Sequence, residues 1–189
     1  MAKRVFFSFH YQDVIDFRAN VVRNHKTTKH KSAGYFDASI WESAKRTSDL
    51  ALKRLINSEL HNTSVTCVLV GSETFSRRWV DYEIMKSLSK GNSIIAVHIN
   101  GIKGKDGCTK VKGNNPLYYL GYSYVNEGKY VKLHNFIQGS WMDYTDLDGW
   151  AVSQIDEKYR DKIYRLSDDY PIYDWSEDDG YNNFASWIE

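Results

Sequence analysis

The sequence predicts an α/β fold built on an open parallel sheet, and three observations carry that reading. Short apolar runs alternate with helix-period segments through the first hundred residues. Two of those runs, 65–70 and 93–99, are apolar almost throughout, as strands buried on both faces should be. Between them stands an amphipathic segment with a stop signal at Gly91. Strands separated by helices need crossovers, which are right-handed and leave helices on both faces of the sheet. The expected architecture is a flavodoxin-like, doubly wound parallel sheet.

The elements follow in order. Arg4-Val5-Phe6-Phe7-Ser8-Phe9 is a β-rich run, and residues 11–24 carry Val14, Ile15, Phe17, Val21 and Val22 at helical spacing. A polar, basic stretch (25–32) leads to a second short strand, Gly34-Tyr35-Phe36-Asp37. Residues 42–60 predict a helix whose apolar side is Leu50, Leu52, Leu55, Ile56 and Leu60. The third strand is 65–70, its helix 76–90 with Ser76 as N-cap, and the fourth strand 93–99. Residues 101–113 are rich in Gly and Lys and predict a loop. Beyond them come many Tyr and Trp residues without a clean period, expected as irregular short elements packed on the sheet. The organisation is a core over residues 1–100 and an extension of the same domain over 101–189.

Composition narrows the function. The chain has 189 residues, 42% hydrophobic and 26% charged, with net charge +1, ordinary values for a soluble domain. Residues 1–100 hold 15 Lys and Arg against 9 acids, and residues 101–189 hold 10 against 15, which suggests two electrostatic faces. A nucleic-acid partner would call for more positive charge. Two cysteines without metal-like spacing argue against a disulfide framework. No signal-like segment or membrane-length apolar run appears, so no membrane is expected and the default location is the cytoplasm.

Ligands of open parallel sheets bind beyond the carboxyl ends of the strands. That rule collects Phe9-His10-Tyr11, Asp37-Ala38-Ser39, Gly71-Ser72, and the Trp79/Glu83 pair four apart at the start of a helix. Together they offer aromatic faces for a ring, hydroxyls and carboxylates for ribose, and amides for phosphate. Plainer roles stand beside these. Phe9 and Tyr11 also suit core packing, His10 a hydrogen-bonded surface role, and Asp37 an Asx-turn. Glu83 also suits a solvated first-turn acid that complements the helix dipole. At roughly 100° per residue it falls about 60° from Val80, at the edge of the apolar stripe. No P-loop ending, zinc spacing, calcium loop or Gly-x-Ser-x-Gly elbow is present, so a metal-free reaction is expected.

The same residues carry a resemblance. Lys3 to Tyr11 resembles the opening box of TIR domains, Tyr35-Phe36-Asp37 sits where these carry a strand ending in Asp, and Trp79-Val80-Asp81-Tyr82-Glu83 is similar to their Trp-Cys-x-x-Glu motif, with Val80 in place of Cys. The match spans about residues 3–100 and looks most like the TIR-like branch of bacterial Thoeris antiphage systems. The resemblance implies an enzyme that cleaves NAD between nicotinamide and ribose, with NAD as substrate and no resident cofactor. Glu83 would be the catalytic carboxylate, Trp79 and Asp37 would line the ribose pocket, and Phe9, His10 and Tyr11 would cover the nicotinamide side. It further implies a cyclic ADP-ribose-like product acting on a separate effector, a phage-derived trigger and homo-oligomers. The alternative it leaves is a non-catalytic module that works by assembly with other TIR domains.

Overall fold

The computed structural model describes residues 4–26, 32–33 and 46–189. In chain order the strands are β1 (Val5–Phe9), β2 (Ser32–Ala33), β3 (Val65–Val70), β4 (Ser93–His98), β5 (Leu120–Val125), β6 (Tyr130–Ile137), β7 (Ser140–Asp143), β8 (Trp150–Ala151), β9 (Ile163–Arg165) and β10 (Ile172–Asp174). The helices are α1 (Tyr11–Ile15), α2 (Arg18–Arg23), α3 (Asp49–Leu60), α4 (Arg78–Lys90), α5 (Leu166–Asp169) and α6 (Gly180–Trp187). One sheet runs β10-β4-β3-β1-β2 with every pair parallel. The other runs β7-β6-β5-β9, antiparallel, with β8 also on β6.

The pleat of β1 sorts its side chains between two cores. Val5 and Phe7 pack with Ala19 and Val22 of α2 and with Phe184 and Ile188 around α6. Phe6 points the other way, onto Leu52, Ile56 and Leu60 of α3 and Tyr82 of α4. On that same side Val68, Val70, Ile94 and Ala96 meet Val80, Ile84 and Met85 of α4, and beyond them Leu120, Val131 and Leu133 of the second sheet. The α4 helix is therefore covered by both sheets, which is why Val80, Tyr82, Glu83, Ile84, Met85 and Ser87 are all buried.

Caps set the helix ends. The Ser48 hydroxyl accepts from the Ala51 N–H at 3.1 Å at the start of α3. Gly91 takes the left-handed conformation (φ 78°) that closes α4. Several expectations are revised. The helix expected over 11–24 is two, because Phe17 adopts φ 68° and breaks the ladder between α1 and α2. Ser76 ends a short 3-10 turn and Arg77 takes the N-cap position of α4 with no side-chain cap. The strand expected over 34–37, and the part of the helix expected over 42–45, lie outside the described residues.

The extension is more regular than its aromatic pattern suggests. Leu120, Tyr122 and Tyr124 alternate on β5 and join the second core, cross-strand from residues of β6 that include Val131 and Leu133. Tight turns with positive φ, Asn126-Glu127-Gly128 and Gln138-Gly139, connect β5 to β6 and β6 to β7. The chain then returns, and β10 completes the parallel sheet beside β4. The loop 101–113 crosses the carboxyl edge as a strap. Arg18, fully buried, donates to the carbonyls of Ile102 (3.0 Å) and Cys108 (2.7 Å) and holds it down. A Cβ at Gly113 would fall 2.1 Å from the Gly71 carbonyl oxygen, so the strap meets the end of β3 at a contact only glycine allows.

Candidate functional site

From β1 the chain moves outward to β2 and later returns to β3 on the other side, so the strand order reverses between β1 and β3. The helices after β1 pack on one face and the helix after β3 on the other. Such a reversal opens a crevice at the carboxyl ends of the two strands, where open α/β sheets bind ligands.

Glu83 lies against this crevice from the α4 side. The Ser8 hydroxyl of β1 donates to Glu83 Oε2 at 2.5 Å, and both residues are buried. Glu83 is thus more buried than the edge position that its spacing suggested, and it is not a solvated first-turn acid. The second sheet covers the helix from outside and β1 offers a polar partner from inside. Burial pushes the Glu83 carboxyl up to about 8, against the opposing pull of the Ser8 hydrogen bond. The backbone beneath it is fixed by a hydroxyl chain. Ser87 donates to the Glu83 carbonyl (2.6 Å), Thr66 of β3 to Ser87 (2.7 Å), and Asn92 to Thr66 (3.2 Å). The carboxyl is held in place while staying poor in partners, which suits a group that must face developing positive charge.

Trp79 precedes Glu83 by one helical turn. It is half-buried on the cluster of Phe6, Leu52 and Ile56, edge-on to Tyr82, with the Arg78 guanidinium 4.7 Å from its ring. Arg78 itself is held by both oxygens of Asp146 (2.6 and 2.8 Å). His10 is half-buried at the N-cap position of α1, Tyr11 is exposed, and Ser72 follows Gly71 beneath the strap. Phe9 does not join them. Alternation on β1 sends Ser8 toward Glu83 and Phe9 to the opposite face, where it packs against the α2 core with Arg23 5.1 Å above its ring. That is the core packing that stood as its plainer role. Asp37 and Ser39 lie outside the described residues.

Two residues at the crevice escape a reading of strand ends. Ser8 is the lone polar side chain of an apolar strand, and that interruption was its signal. Asp13, on α1, is 3% exposed, and its Oδ2 has no hydrogen-bond partner among the described residues. In sequence it resembles any first-turn acid. Among the described residues no group of three or more His, Cys, Asp or Glu is placed to hold a metal ion, and no helix is long and apolar enough to cross a membrane.

Comparison with known proteins places this arrangement. Residues 6–103 match the family described as "Thoeris protein ThsB, TIR-like domain". The chain is also similar to a protein of Bacillus cereus (strain MSX-D12) named "Putative cyclic ADP-D-ribose synthase ThsB1". The two are 62% identical over 191 residues, covering 100% of each chain.

Proposed function

Because the chain belongs to the Thoeris ThsB family of TIR-like proteins, we propose that it breaks the nicotinamide–ribose bond of NAD and closes the ADP-ribosyl group into a cyclic ADP-ribose-like signal. The observation that carries this reading is the buried Glu83 carboxyl, held by Ser8 beside the β1/β3 crevice. The name of the full-length relative supports cyclisation as the outcome.

The chemistry follows from the charges. In NAD the leaving nicotinamide is already cationic, so the C1′–N bond can break with its electron pair going to the ring nitrogen, and no strong general acid is needed. The positive charge moves onto the ribose as an oxocarbenium-like centre, which a fixed carboxylate stabilises, as in glycoside hydrolysis. Burial favours the neutral acid at Glu83. A cationic ring bound beside it favours the carboxylate, so the proton leaves as substrate arrives. An internal hydroxyl or ring nitrogen of the ADP-ribosyl group then attacks C1′ with a lone pair, and any proton this releases passes to the Glu83 carboxylate or to solvent. Water competes for the same carbon, and His10 and Tyr11, where β1 passes into α1, are the candidates to exclude it. The cyclic product would act on a separate effector in antiphage defence, with a phage-derived trigger.

A module that acts only by assembly gains nothing from an acid buried with one hydroxyl partner. The test is mass spectrometry of small molecules from infected cells that express the chain or its Glu83→Gln variant. Product should fall about 100- to 1,000-fold in the variant, the usual cost of one lost charge-stabilising group. Undiminished product from folded Glu83→Gln protein would overturn the assignment.

A further inference from the structure

Asp13 has the surroundings of a ligand-binding group without a protein partner. It is 3% exposed, and its Oδ2 makes no hydrogen bond to any described residue. A buried carboxyl left without a partner is costly and uncommon. Its place is the mouth of the β1/β3 crevice: α1 follows β1 directly, and the Asp13 carboxyl rests on Gly71, the residue after β3. A Cβ at Gly71 would fall 2.3 Å from Oδ2 and 2.4 Å from Oδ1, so glycine is what allows this approach.

The neighbouring cations are engaged elsewhere. Lys110 pairs with Asp16, and Arg18 pairs with Asp16 (2.9 Å) while donating to Ile102 and Cys108. Asp16 and Glu73 add negative charge nearby, and burial outweighs the two cations, so the Asp13 carboxyl is pushed up to about 6. Such surroundings repel phosphate. They suit a neutral hydrogen-bond donor.

We propose that Asp13 is a second substrate-contacting carboxyl, accepting a hydrogen bond from a neutral donor of the dinucleotide, a ribose hydroxyl or the carboxamide N–H of nicotinamide. This rests on the reading of the crevice as an NAD site. Asp13 binds and orients the substrate, while Glu83 meets the reacting carbon. The two approach the crevice from helices on opposite faces of the sheet, so a sugar bound between them would be held from both sides.

The test uses NAD and its nicotinic acid analogue, in which a carboxylate replaces the carboxamide. Binding is measured by calorimetry on full-length Glu83→Gln protein, with and without Asp13→Ala, and thermal melting is followed alongside. Asp13→Ala should weaken NAD binding about 10- to 100-fold, the loss expected for a hydrogen bond to a charged acceptor, with melting unchanged or raised. If Asp13 reads the carboxamide, protein that retains Asp13 prefers NAD to the analogue and the preference vanishes in Asp13→Ala. If it reads ribose, both ligands weaken equally. Asp13→Leu keeps the approximate shape, removes both acceptor oxygens and serves should Asp13→Ala fail to fold. Unchanged NAD affinity in either folded variant overturns the contact, as does loss of cooperative melting in both. Turnover by the Glu83-containing protein, followed separately, distinguishes the failures. Turnover indifferent to Asp13 would end this inference and leave the reaction standing. Asp13-dependent binding without turnover in triggered cells would do the reverse, and NAD that neither binds nor reacts would overturn both.

Discussion

Around the parallel sheet, buried acids are left short of partners; on the antiparallel sheet, charges satisfy one another. Among the described residues Glu83 has a single hydroxyl partner, while Asp13 Oδ2 and Asp81 Oδ1 have no hydrogen bond. On the second sheet Lys132 pairs with Asp143 at 2.8 Å, and the Arg165 guanidinium lies 3.7 Å from the Tyr118 ring centre and 5.2 and 5.3 Å from those of Phe136 and Trp141. Asp146, just beyond β7, takes Arg78 and Lys53 from the helices. Unsatisfied polar groups cost stability wherever they are buried, and Asn135 Oδ1 and the Tyr144 hydroxyl of the extension are unsatisfied too, but at the crevice the groups short of partners are the carboxyls of Glu83 and Asp13, whose charge the chemistry can use. The second sheet contributes cover and cohesion.

The harshest way to break this comparison is to remove the second sheet. Truncation after Gly113 strips Leu120, Val131 and Leu133 from the α4 side, and β10 and α6 from the edge and opposite face. We expect insoluble or molten protein, seen as loss of cooperative melting. A soluble, cooperatively melting 1–113 fragment would make the extension a separable unit.

A smaller effect sharpens the contrast through pH. The Glu83 carboxyl sits at about 8 in the fold against an ordinary 4.5. Between those values the folded state keeps a proton the unfolded state has released, so stability falls as pH rises through this window. Glu83→Gln removes that slope. The variant should melt a few degrees above the parent at pH 8, with the gap closing toward pH 5. A gap independent of pH would mean that burial does not set this group's protonation.

The smallest effect belongs to the second sheet. Arg165→Ala should cost about 0.5–2 kcal/mol through its lost ring contacts, read by urea denaturation, with product formation unchanged. A fall in product would tie the outer face to the crevice and blur the distinction.

The parallel core was legible because its signals are local. β3 and β4 are nearly all apolar, and Gly91 marks the end of α4. The extension hid its order because Tyr and Trp serve both core and surface, so alternation on β5 did not show as hydrophobic against polar. β10 has only three residues and owes its identity to β4. At the site, Glu83 and Trp79 stood out by spacing. The burial of Glu83 depends on a sheet more than thirty residues away, and the isolation of Asp13 depends on a glycine after a different strand; neither is written near the residue concerned.

The pairing of β10 with β4 also bears on how the chain is made. β4 ends at His98 and β10 begins at Ile172, so a ribosome adding about 5–20 residues per second needs roughly 4–15 s to supply the partner. Throughout that interval Ile94, Ile95, Ala96 and Val97 form an open sheet edge, the kind of surface that recruits a neighbouring nascent chain. Slow elongation through the extension would lengthen the exposure. The yield of folded protein should therefore depend on translation speed and chaperone supply over these residues.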